Sequence, residues 1–167
     1  KQMALEREAL VYDLGERVKE LSCLYTLSNL IETPDQDIPG LLSGTTSTLP
    51  SAFRFPEQAR ATIVSDWGNF GALAALTDQR HLQRPLHVNH QIIGTVAVGY
   101  PDAFQVNGEI FLEEESNLMD AVALRLGETM ERKLATAKIQ RLSYLYEMLS
   151  ATNRAVVRCR SSDELLQ

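Results

Sequence analysis

The side chains in this sequence best suited to ligate a metal or move a proton are His81, His87 and His90. His87 and His90 flank Val88-Asn89, so both stand at one chain reversal. A metal site needs a third ligand and outer groups that orient the first ones. No Cys, Asp or Glu lies between His81 and Tyr100. The histidines therefore read as exposed turn residues, and no metal is expected. Cys23 and Cys159 share no metal-type or redox spacing. Cys23 reads as a helix residue at a packing surface rather than as a reactive thiol. Glu109 and Glu113 to Glu115 make an acidic cluster, which reads as the solvated start of a helix. There is no G-x-S-x-G elbow, P-loop or G-x-G-x-x-G. We expect no catalytic residue and no cofactor: this is a protein that binds or relays, not an enzyme.

The elements around these residues have a definite order. The chain has 167 residues, of which 44% are hydrophobic, enough for one ordinary core. Its net charge is −6 with no basic block, which argues against a nucleic-acid partner. No apolar run is long enough to span a bilayer, and no signal peptide is present. Two cysteines fit a reducing compartment, so we expect a cytoplasmic location, in a parent that could be membrane-anchored. The chain opens at Lys1 and closes inside a helical pattern, and we expect a piece of a longer protein.

Residues 1–32 are a Pro-free helical pattern ended by Pro34. Leu14 and Leu21 fall at a, and Met3, Leu10, Leu24 and Ile31 at d, of a heptad interrupted by Arg7 and Arg17. For residues 1–17 a partner helix and packing on the chain's own sheet are equal readings. For residues 21–32 own-domain packing is preferred. "IPGLLSGTTSTLPSAF" then predicts a short helix with Pro39 in its first turn and Ile38, Leu41, Leu42 and Leu49 inward.

"ARATIVSDW" alternates: Ala61, Ile63, Ser65 and Trp67 face one side, and Arg60, Thr62, Val64 and Asp66 the other. "GNFGA" reads as a turn, Leu73 to Leu76 as a short second strand, and "TDQRHLQR" as a loop. "PLHVNHQIIGTVAVGY" reads as a hairpin turning at Asn89, which tolerates positive φ. One face of its second strand is Ile92, Val96, Val98 and Tyr100. The other is Ile93, Thr95, Ala97 and Gly99, whose small side chains fit a bulge, a close backbone approach or a cavity. Trp67, Phe70, His87, Thr95, Ala97, Tyr100 and Phe104 are the candidate lining of such a cavity, although alternation puts Tyr100 opposite the small residues. The same aromatics would also serve a core.

"YPDAFQVNGEI" is a loop with a turn at Asn107-Gly108. A Pro-free helix follows for about 40 residues. Val122, Leu126, Met130 and Leu134 step by four; Ile139, Leu142, Tyr146 and Leu149 step by three and four. The register drift between 134 and 139 reads as a stutter in a coiled coil. Leu10, Leu14, Leu21, Leu24, Val122, Leu126, Met130, Leu134, Leu142 and Leu149 are the candidate dimer-helix residues.

"VKELSCLYTL" from Val18 returns as "IQRLSYLYEM" from Ile139, 121 positions later. With "LPSAFRFPEQARATI", "VNHQIIGTVAVGY" and "FLEEESNLMDAVALRLGETMERK" in this order, residues 18–134 resemble a GAF-type sensory domain of bacterial signalling proteins. The resemblance implies an α+β fold: a GAF-like antiparallel sheet, N- and C-terminal helices packed together on one face, and a long C-terminal connecting helix. It also implies an organisation of linker helix 1–17, sensory domain 18–134, and 135–167 as connecting helix and start of a second such domain. The cyclic-nucleotide signature N-K-x-x-F-x-x-x-D-E, a bilin cysteine inside the domain and the reductase cysteines are absent, so none of those functions carries over. What the resemblance does imply is an input domain regulating a downstream histidine kinase or diguanylate cyclase module through a homodimeric helical bundle, with an unidentified small molecule as a further partner. A ligand-free dimerisation and spacer module is the alternative.

Overall fold

A computed structural model describes residues 2–33, 36–73, 80–104 and 108–164. It divides into two compact units, Lys1–Met130 and Glu131–Gln167.

The first unit opens with helix α1 (Gln2–Glu32), which stops two positions before Pro34, because a proline disfavours helical backbone in the residue before it. Helix α2 (Ile38–Thr48) follows, and Asp37 caps it: its Oδ1 accepts the Gly40 N–H at 2.8 Å. Pro39 sits in the first turn, where its missing donor costs nothing. Ile38, Leu41 and Leu42, with Leu49 of the 3₁₀ turn Leu49–Ala52, are buried as their spacing predicts.

Four strands follow: β1 (Arg60–Ser65), β2 (Gly68–Gly71), β3 (His81–Val88) and β4 (Gln91–Gly99). They form one antiparallel sheet in the order β2-β1-β4-β3. The fold class is therefore the expected α+β with an antiparallel sheet and a long C-terminal helix, α3 (Glu113–Glu164).

Two strand assignments change. The turn expected at "GNFGA" is itself β2, since Gly68 and Gly71 adopt positive φ at the two ends of a strand paired with β1. Leu73 lies in a turn after it, and residues 74–76 fall outside those described. Of the "TDQRHLQR" loop, residues 77–79 lie outside those described, and His81 to Arg84 form the first half of β3. Its polarity reflects an edge position: Gln83, Pro85 and His87 are exposed, and a proline is tolerated where no neighbouring strand needs its N–H. The β3–β4 turn forms as expected, with φ of 50° at Asn89 and 65° at His90. Gly108 has positive φ, while Asn107 lies outside the described residues.

A bulge alters the face assignment of β4. Leu86 pairs with Gly94 and His87 with Ile92, leaving Ile93 as an extra residue. Alternation slips there, so Ile92 is exposed and does not join Val96 and Val98, which are fully buried.

One face of the sheet carries Ala61, Ile63, Leu86, Val96 and Val98, all buried. The N-terminal part of α3 covers it. Arg84 of β3 reaches α3, where its guanidinium pairs with Asp120 through Nε and donates from Nη2 to Ser116 Oγ at 2.6 Å. Near the end of β3, Gly127 backs onto the chain so closely that a methyl group there would stand 2.3 Å from the His87 carbonyl oxygen. Beside α3 runs α1, joined by Arg125 Nη1 donating to Ser28 Oγ at 2.9 Å. α1 also rests on α2 and the 3₁₀ turn.

Val122, Leu126 and Met130 are each 0% exposed. This corrects their assignment to a dimer seam: a four-residue step along a helix that lies on its own sheet fills that sheet's core. Glu115 corrects the solvated reading of the acidic cluster. It is 2% exposed, and its carboxylate accepts the backbone N–H of Leu112 at 2.8 Å and of Arg54 at 2.6 Å. The first bond is the return half of a capping box at the start of α3.

The second unit is the helix beyond Met130. Its described apolar side chains from Ile139 to Leu149 are exposed.

Candidate helical interface

The residues named for a cavity do not converge. His87 is level with Ile92 at one end of β4, and Tyr100 follows the other end, roughly 26 Å away at about 3.3 Å per residue. Trp67 belongs to the turn after Ser65, which pairs with Gly94, and so shares the His87 end. Phe70 lies opposite Ile63, mid-sheet, and Thr95 and Ala97 are mid-strand. Phe104 is at the Tyr100 end, their ring centroids 5.5 Å apart.

The aromatics at that end pack on one another. Phe55 meets Phe104 at 5.0 Å and Tyr100 at 6.0 Å, and Tyr100 stacks on Phe111 at 5.3 Å. Such spacings are those of core aromatic pairs. Arg80 ties the Phe104 backbone down, donating from Nη1 to its carbonyl at 2.7 Å. A recess of about 290 Å³ beside Phe55 is lined by Arg54 to Gln58, none of them a sequence candidate. Phe53, Phe55 and Phe111 complete the cluster; their separation in sequence gave no signal that they would meet.

The three histidines do not form one cluster. His81 and His87 stand at opposite ends of β3. Among the described residues no group of three or more His, Cys, Asp or Glu is placed to hold a metal. Cys23 is buried, and burial pushes its thiol up to about 11. A thiol so protonated is a poor nucleophile.

The exposed helix faces are the more distinctive feature. On α1, Val11, Leu14, Val18, Leu21 and Tyr25 are all exposed. Their intervals are three, four, three and four, the spacing of a and d positions in a coiled coil. Leu10 is exposed beside them. The heptad read from sequence has Leu14 and Leu21, both exposed, in one row and Met3, Leu10, Leu24 and Ile31 in the other, and Leu24 and Ile31 depart from the exposed face. Both are half-buried against the chain's own domain, together with the fully covered Cys23 and Leu27. Val11, Val18 and Tyr25 form the second row instead. The side chain of Met3 lies outside those described.

The second unit repeats the pattern by itself. Ile139, Leu142, Tyr146 and Leu149 are exposed at intervals of three, four and three. Leu134 is half-buried and is not part of that row. The seams are the same residues of the repeated motif: Val18, Leu21 and Tyr25 correspond to Ile139, Leu142 and Tyr146. An exposed Leu or Val withdrawn from water contributes about 1.5–3 kcal/mol, against which the entropy cost of association is set.

The chain matches no protein-family model and no curated protein. Among the described residues no helix is long and apolar enough to cross a membrane.

Proposed function

We propose that the chain is a GAF-type input and relay domain of a multidomain bacterial signalling protein, working in the cytoplasm as a homodimer. Its helices pair through the seam Val11-Leu14-Val18-Leu21-Tyr25 and through Ile139-Leu142-Tyr146-Leu149. The observation that carries this reading is the unbroken three-four spacing of exposed apolar side chains on a helix whose other face is already buried. A surface helix with no partner has no reason to hold five apolar residues in that order. The α3 helix, which fills the core before Met130 and presents a seam after Glu131, would pass a bias from the domain to a downstream kinase or cyclic-dinucleotide module. That transfer requires two arrangements of the helices and an input that favours one of them.

Sedimentation of the 167-residue chain tests the pairing. A dimer is expected, with Leu21→Arg and Leu142→Arg each shifting it towards monomer while helical content is kept. A wild-type chain that stays monomeric at high concentration overturns the reading.

A second reading, a dimerisation and spacer module without a ligand, is favoured by the dispersal of the cavity candidates over both ends of the sheet. Native mass spectrometry separates the two: a discrete retained mass supports a sensor, and bare protein mass supports the spacer.

A further inference from the structure

The exposed row on α1 begins and ends on the same kind of position. Its intervals put Val11, Val18 and Tyr25 at a, and Leu14 and Leu21 at d. A parallel, in-register helix pair sets a against a and d against d, so all five residues meet a like partner. An antiparallel pair sets a against d, and two d positions cannot serve three a positions. Two antiparallel alignments match four of the five. One places Tyr25 opposite Arg7 and brings the exposed Arg17 of each helix together at the flank. The other places Val11 opposite Ser28, which is half-buried and accepts a hydrogen bond from Arg125. The row from Ile139 to Leu149 fits α1 no better: aligned through the repeated motif, 121 positions on, Val11 would meet Arg132. In the parallel pair each Arg17 lies beside Ser22 of the other helix, an exposed hydroxyl that can accept from it.

We infer that the occupant of the α1 seam is the α1 of a second copy, parallel and in register, with Val11, Val18 and Tyr25 each facing the same residue of that copy. The inference rests on the pairing proposed above and gives it a direction. Valine at a with leucine at d is the combination that favours two parallel strands. Ile139 at a with Leu142 and Leu149 at d repeats it in the second unit. The area agrees with a second copy. An apolar side chain of this size removes roughly 60–120 Å² from water, so five give roughly 300–600 Å² per chain. A stable complex buries about 800 Å² per partner. The α1 seam alone therefore makes a weak pair, and a second copy that also matches the row from Ile139 to Leu149 makes an interface of ordinary size.

Single cysteines read the direction. Val11→Cys, Tyr25→Cys and Glu57→Cys are each made in the 167-residue chain with Cys159→Ser, where the remaining Cys23 is buried. Sedimentation fixes the concentration at which each variant is a dimer, and a mild oxidant is then added. A disulfide needs Cα atoms within about 7 Å. Val11→Cys and Tyr25→Cys should each form a linked dimer at least about tenfold faster than Glu57→Cys, which is exposed and off the seam. In either antiparallel alignment a residue at 11 or 25 stands about ten or more positions from its equivalent, roughly 15 Å along the axis, and cannot link to it. A dimer in which neither variant outpaces Glu57→Cys overturns the inference and leaves the pairing standing. Linking at only one of the two positions overturns the in-register alignment. A chain that sediments as a monomer throughout overturns the pairing and this inference with it.

Discussion

The Glu115 carboxylate accepts the backbone N–H of Arg54 at 2.6 Å, joining two residues 61 positions apart. Its other oxygen caps α3 at Leu112. One buried side chain therefore fixes the loop after the 3₁₀ turn to the start of the longest helix. Removing it strands two N–H donors. Glu115→Ala should cost about 2–4 kcal/mol in urea unfolding, since bonds to a charged acceptor are the strong ones and a buried unmet donor is costly. Glu115→Gln should cost about half as much, because one amide oxygen still accepts. Equal stability of all three proteins would show that the carboxylate is dispensable.

Two glycines in helices should respond oppositely to alanine. At Gly15 nothing stands within 4 Å of an added methyl group. Gly15→Ala should raise stability by about 0.5–1 kcal/mol through backbone entropy alone. Gly127→Ala must push α3 off the His87 carbonyl and should lower it by about 1–3 kcal/mol. Thermal melts of the two variants in parallel check the signs.

Arg84 holds the Asp120 carboxyl below its ordinary range, chiefly through their hydrogen bond. The folded form thus keeps the charge more readily than the unfolded one. That contribution is fully present above the unfolded pKa of about 3.9 and is lost as pH falls through the lower folded value. Asp120 is exposed, so the effect is small and screened by salt. Asp120→Asn should flatten the acid limb of the stability curve below about pH 4 and leave its shape at higher pH unchanged.

Cys23 shows the reverse linkage. Its folded thiol is pushed up to about 11 by burial. An unfolded thiol ionises near 8.5, so stability should fall between about pH 8.5 and 11 and the Cys23→Ala variant should lack that decline. In a Cys159→Ser chain at pH 8, ionisation alone should slow labelling of Cys23 roughly two-hundredfold against a free thiol.

Local chemistry was legible in the sequence where one residue decides the backbone. Asn89 announced the β3–β4 turn and Pro39 the first turn of α2. It failed where position in the sheet decides. The "RHLQR" half of β3 is polar because it lies on an edge, and "GNFG" pairs with β1 despite its glycines. The four-residue step of Val122, Leu126 and Met130 fits a core and a partner helix equally well, and only the sheet beneath them resolves it. On α1 the seam was read from Met3, Leu10, Leu14, Leu21, Leu24 and Ile31, whereas the exposed face also carries Val11, Val18 and Tyr25. The cavity candidates spread along the sheet, since a strand as long as β4 keeps its two ends far apart.

The contact between Gly127 and the His87 carbonyl sets the mechanics of α3. Sliding the helix by one turn, about 5.4 Å, would bring Ala123 or Glu131 to a place with no room for a Cβ. Rolling it would drive Leu126 or Glu128 into the same oxygen. At this point the helix and the strand end are fitted backbone to backbone, with a hydrogen atom as the only side chain between them.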